Sequence, residues 1–313
     1  MRNLTQPQGG AGLTLLCLSI AGVSLAVVVL ISKAVAQQGV PMLWFLTVVL
    51  ALSGLVQLAI AARLGQMRGW RRMMPYSVGA GAIGALPSAL GYLSVAHVGA
   101  GYMSMTFAFP ILLTWVFARL LGMEGRDPRR LLAVLLGLGG GVILALGKLG
   151  SVSGAATGWV LLASAIPVII AAGNIFRTRY WPDGAQPVAL AALLLLTGAV
   201  LTAPFALAIE GSPAPLLAND TVRVLLLVDV AVFVVQYIAY FNLQRIGGPV
   251  TLSLMGPVAA VVGAIAAMPL FGEALPHGFA LAGALVAAGV VLMLWRGRLR
   301  LTLSAAPPAS NCR

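Results

Sequence analysis

Apolar residues in this chain come in runs of about twenty, separated by short gaps rich in Gly, Pro, Arg and Asp. A helix that crosses a bilayer needs ~20 mainly apolar residues, because every backbone polar group must be bonded within the segment. Ten runs meet that length, at about 11–32, 40–62, 74–96, 99–121, 130–147, 155–176, 187–209, 222–242, 248–270 and 277–295. Turn formers fill the gaps, as in Gly125-Arg126-Asp127-Pro128 and Trp181-Pro182-Asp183-Gly184. The third gap is only His97-Val98, which predicts a tight helical hairpin between the third and fourth runs. There are no convincing strands. The pattern predicts an all-α membrane protein of ten transmembrane helices.

Composition agrees. Of 313 residues, 60% are apolar and 8% charged, with a mean hydropathy of +1.02, whereas soluble domains carry about 25% charged residues. That excludes a cytosolic enzyme, a secreted disulfide scaffold and a disordered protein. The net charge of +12 does not point to nucleic acid, because the cations sit in gaps between apolar runs, where anionic lipid headgroups are their counter-charge. Placing the N-terminus inside puts sixteen of the nineteen Lys and Arg on the inner side, leaving only Lys33, Lys148 and Arg223 outside. By the positive-inside rule, both termini are expected in the cytoplasm. Ala34-Val35-Ala36 resembles a signal-peptidase site, but about 21 apolar residues precede it, more than the usual 7–15-residue signal core. The first run is therefore read as an uncleaved span. Cys17 lies inside it and Cys312 in the tail, so no disulfide framework is implied.

The two halves echo each other. Gly141-Val142-Ile143-Leu144-Ala145-Leu146 closes the fifth run, and Gly289-Val290-Val291-Leu292-Met293-Leu294 closes the tenth, 148 positions later. Gly122-Met123-Glu124 ends the fourth run and Gly272-Glu273 the ninth; Gly99-Ala100-Gly101 and Gly247-Gly248-Pro249 open them. The organisation expected is a cytoplasmic segment 1–10, a five-helix repeat over 11–147, a second over 155–296, and a cytoplasmic tail 297–313 without order. Five is odd, so the second repeat runs inverted. Inverted repeats mark secondary transporters with a substrate site between the repeats; a duplicated scaffold that moves nothing is the alternative.

Over about residues 11–296 this pattern resembles the ten-helix EamA-type branch of the drug/metabolite transporter superfamily. The resemblance rests on the two five-span halves, the near-absent third gap, Phe271-Gly272-Glu273-Ala274-Leu275-Pro276, and Pro110 in mid-span. It implies a carrier in the cytoplasmic membrane, working on small metabolites by alternating access and often as an exporter, with no ATP site and no metal.

Ionisable groups inside a span are costly, about +2.5–3.5 kcal/mol on insertion scales, and so become functional candidates. Asp229 is the clear case, roughly 9 Å into the eighth run at about 1.5 Å per residue past Arg223. Phe233, Gln236, Tyr237 and Tyr240 share its helix face. Two readings stand: Asp229 binds a substrate cation or the coupling proton, or it is bonded to a neighbouring helix. Tyr102, Thr106 and Phe109 form a smaller stripe beside Pro110; Ser88 and Tyr92 lie in the third run, Thr251 and Ser253 in the ninth. These line a cavity or serve close packing, where small polar residues are enriched. Gln57 and Asn174 are further buried amides, Asn174 at a span end. Headgroup anchoring accounts for Lys33 and Arg177, with gating as the alternative. Glu124 and Glu273 read as structural turn residues.

An intramembrane enzyme finds no support: HExxH is absent, no Ser/His or paired-Asp constellation lies within the spans, and no phosphate loop follows a strand. A sensor or partner subunit on the same scaffold remains the rival. The expectation is a carrier for a small organic metabolite, an amino acid or related compound among the candidates, acting as monomer or homodimer with possible proton coupling, no cofactor and no nucleic acid.

Overall fold

The computed structural model describes residues 11–123, 128–149, 154–273 and 278–294. Among the described residues every regular element is helical: α1 Ala11–Ala36, α2 Met42–Arg63, α3 Trp70–Val98, α4 Ala100–Thr106, α5 Pro110–Leu120, α6 Pro128–Leu149, α7 Gly154–Arg179, α8 Pro187–Glu210, α9 Pro215–Ala218, α10 Asp220–Ser253, α11 Met255–Phe271 and α12 Phe279–Leu294. Among the described residues eight helices are long and apolar enough to cross a membrane, with α4 and α5 counting as one; α11 and α12 are apolar but shorter, 17 and 16 residues. Leu120, Val200 and Phe205 are 76%, 72% and 64% exposed. So much outward apolar surface is stable only against lipid, and the chain is a multi-pass, all-α membrane protein. Glu124, His277, Trp295 and the 297–313 tail lie outside the described residues.

Two expected spans are interrupted. The amides of Phe107, Ala108 and Phe109 bond three residues back, to Ser104, Met105 and Thr106. Pro110 has no N–H to continue the α pattern, so the helix tightens and restarts as α5. The expected ninth span begins instead within α10, whose residue Gly248 is non-helical (φ 69°, ψ −170°), and it breaks again at Leu254 before α11. The two breaks touch. A Cβ on Gly256 would sit 1.8 Å from the Phe107 carbonyl oxygen, so only glycine permits this approach.

Helices pair as α2 on α8, α6 on α12, α1 on α10 and α11, α3 on α7 and α8, α4 on α11, and α5 on α7. Small residues bring the α6–α12 backbones together: a Cβ on Gly140 would meet the Ala282 carbonyl at 2.8 Å, and one on Gly289 the Ala133 carbonyl at 2.7 Å. Carboxylates close other joints. Pro41 offers α2 no side-chain cap, and Glu210, from the end of α8, accepts from the amides of Leu43 (2.9 Å) and Trp44 (3.0 Å). Glu273 does the same for α4, accepting from the amides of Ala100 and Gly101 at 2.8 Å each. Both place negative charge at a helix N-terminus, where the unpaired amides and the helix dipole favour it. Gly99, at φ 87°, is needed there twice over: its backbone is left-handed, and a Cβ would meet the Glu273 carboxylate within 2.9 Å.

Candidate functional site

A cavity of about 130 Å³ lies in the interior, walled by α1, α3, α4, α5, α7, α8, α10 and α11. A water needs about 10–15 Å³ measured this way, so the space holds on the order of ten waters or one small organic molecule. Its walls are mostly apolar: Val28 and Val29 from α1, Met103 and Phe107 at the first break, Ile170 from α7, Met255 and Gly256 at the second. Both helix breaks therefore face it.

The aromatic face of α10 supplies one wall. Phe233, Gln236, Tyr237 and Tyr240 line the cavity, with Tyr237 stacked 5.7 Å from Phe233 and tilted at 5.7 Å from Tyr240. Tyr92 and Ser88 of α3, and Ser253 beside the second break, are also on the wall. Asp229, Tyr102, Thr106, Phe109 and Thr251, expected with them, are not on it. Asp229 is 0% exposed and packed among helices, its Oδ2 accepting a 2.6 Å bond from the Tyr92 hydroxyl while Oδ1 has no hydrogen-bond partner. Tyr92 stands between Asp229 and the cavity. The Tyr102 hydroxyl turns to Ser164 on α7 (2.8 Å), and Thr106 Oγ1 donates back to the Met103 carbonyl (2.7 Å), a local bond that short hydroxyl side chains favour in helices. Ser53 and Gln57 bond the Val230 and Val234 carbonyls, both at 3.2 Å, and so tie α2 to α10 near Asp229.

Arg177 and Asn174, which the sequence places at a membrane surface, belong to this site instead. Arg177 is 5% exposed and lines the cavity. Its Nη2 donates to Asn174 Oδ1 at 2.9 Å and to the Tyr240 hydroxyl, and its guanidinium lies 5.4 Å over the Tyr240 ring, a cation–π distance. Asn174 Nδ2 donates to Ser253 Oγ at 3.0 Å, and Ser253 Oγ donates to Thr114 at 3.1 Å. Side chains of α5, α7 and α10 thus close one end of the cavity through a single polar network. The available signal was the three-residue spacing of Asn174 and Arg177, which puts both on one face of α7. In the sequence alone, a positive charge near a span end reads as a headgroup anchor.

Lys33 is likewise no headgroup anchor. Its Nζ donates to the carbonyls of Val95 (3.5 Å) and Ala96 (3.3 Å) at the end of α3, and lies 3.9 Å from Glu273. The cation meets a helix C-terminus and the anion a helix N-terminus, so one ion pair joins α1, the α3–α4 hairpin and the end of α11. Among the described residues no cluster of His, Cys, Asp and Glu could hold a metal.

No family model matches the chain, and no curated protein matches it. Its fold is similar to that of a solved structure named "Crystal structure of protein", with a TM-score of 0.65 at 18% identity over 92% of this chain and 99% of the other. At that identity the likeness is one of fold.

Proposed function

We propose that the protein is a secondary transporter that moves a small organic metabolite across the cytoplasmic membrane by alternating access, in the direction of export. The observation that carries this reading is the interior cavity flanked by two broken helices that touch at Phe107 and Gly256. Discontinuous helices at a mid-membrane site, contributed by two halves of opposite polarity, are the architecture of such carriers.

In this reading α1–α6 and α7–α12 are the two inverted repeats, and ten spans arise because α11 and α12 cross as well. The helix pairings support it, since they come in reciprocal sets: α1 with α10 answers α7 with α3, α3 with α8 answers α10 with α2, and α2–α8, α4–α11 and α6–α12 answer themselves. The Lys33–Glu273 pair then closes the outer end, and the Asn174–Arg177–Tyr240–Ser253 network the inner end. Asp229, held by Tyr92 beside the cavity, is the candidate coupling group.

The test is a comparison of intracellular and extracellular metabolites in cells overproducing the wild type or the Asp229→Asn variant. Accumulation of one solute class outside with the wild type alone is the expected result. No difference across a broad panel, followed by no counterflow of that panel in proteoliposomes, rejects the carrier reading. A reporter enzyme fused after Arg313 is expected to report a cytoplasmic position; a reading from the other side overturns the ten-span arrangement.

A further inference from the structure

Arg177 carries a positive charge into an apolar cavity with no negative charge to meet it. Among the described residues no carboxylate lies within ion-pair distance of its guanidinium, and both of its bonding partners, Asn174 and Tyr240, are neutral. Both bonds use Nη2, and Nε is buried without any acceptor. A guanidinium offers five donors in a rigid fork that fits a carboxylate through two parallel bonds. A buried charge without a counter-ion is among the most expensive arrangements in a protein. Here the residue lines a cavity, so a ligand lodged there can approach the guanidinium.

We propose that the cavity binds a small organic monocarboxylate with an apolar or aromatic body, its carboxylate on Arg177 and its body against Phe233, Tyr237, Met103 and Ile170. This deepens the transporter reading above and rests on it for the consequence that such acids are the cargo. One negative charge is enough, because Arg177 is the one cation on the described wall and a dianion would leave a charge unmet in the cavity. An α-amino group is not read by Asp229 at the same time. Tyr240, which holds Arg177, and Asp229, which is held by Tyr92, are eleven residues apart on α10, about 16 Å along its axis at 1.5 Å per residue. The ammonium and carboxylate of one α-amino acid cannot span that distance.

The experiment uses the full chain in lipid nanodiscs and titrates butanoate, benzoate and 3-phenylpropanoate beside their amides, with 3-phenylpropylamine as the cationic counterpart. The wild type is expected to bind at least one carboxylate roughly tenfold or more tighter than its amide, since a charge-assisted hydrogen bond contributes about 1.5–3 kcal/mol. Arg177→Gln is expected to remove that preference. If no carboxylate outbinds its amide on the wild type, the proposal is overturned, whatever the variant does. Carboxylate binding that depends on Arg177, without counterflow in proteoliposomes, keeps this site and refutes the carrier. Flux of the carboxylates by Arg177→Gln at the wild-type rate keeps the carrier and refutes this assignment.

Discussion

Replacing Tyr92 by Phe removes one oxygen and leaves Asp229 with no hydrogen bond at all. Asp229 Oδ2 has the Tyr92 hydroxyl as its partner at 2.6 Å, Oδ1 has none, and the residue is fully buried. The ring itself keeps its packing against Phe45, 6.1 Å away. A hydrogen bond to a charged group contributes about 1.5–3 kcal/mol, and the orphaned carboxyl adds its own desolvation penalty. Tyr92→Phe should therefore cost about 3 kcal/mol. Asp229→Val should cost about 1 kcal/mol, for the stranded hydroxyl of Tyr92. The two together remove both partners and set a β-branched apolar residue in a stretch that already reads Val228, Val230 and Val232. The double variant should lie within about 1 kcal/mol of wild type rather than near the additive sum of about 4 kcal/mol. Unfolding in mixed dodecyl maltoside and SDS micelles, followed by tryptophan fluorescence, measures all three. A double variant no more stable than Tyr92→Phe alone would refute the reasoning, because the penalty would then not arise from the unpaired carboxyl.

Four further outcomes follow from the same geometry. Gly256→Ala drives a methyl into the Phe107 carbonyl at 1.8 Å and should cost about 3 kcal/mol or prevent recovery of folded protein. Gly139→Ala, with nothing within 4 Å, should be neutral or stabilising by about 0.5–1 kcal/mol; equal melting temperatures for the two variants would contradict the contact. Glu273→Ala strips the acceptor from the Ala100 and Gly101 amides, and hydrogen exchange over 99–106 should quicken with a loss of about 1–2 kcal/mol; unchanged exchange would mean the cap is not formed in the membrane. Asp229→Asn should fold and lose the pH dependence of flux, while an unaltered pH profile would remove Asp229 from coupling.

What could be read along the chain was whatever depends on a residue's own neighbours. A run of twenty apolar residues has one stable outcome in lipid, so the helices, their approximate limits and the membrane class follow from local hydropathy. Pro110, Gly99 and Gly248 likewise announce breaks by their own backbone chemistry. Asp229 with Phe233, Gln236, Tyr237 and Tyr240 was legible as a stripe because it stands out against valine and leucine. Which way each stripe faces is decided between helices. On a span that is apolar all round, lipid and protein interior attract the same residues, so hydropathy cannot say which side is the core. Tertiary packing therefore turned Tyr102 toward Ser164, set Tyr92 between Asp229 and the cavity, and drew Arg177 inward to Asn174 and Tyr240. Read alone, an arginine near the end of a span is an anchor. Three helices meeting around it make it part of a site.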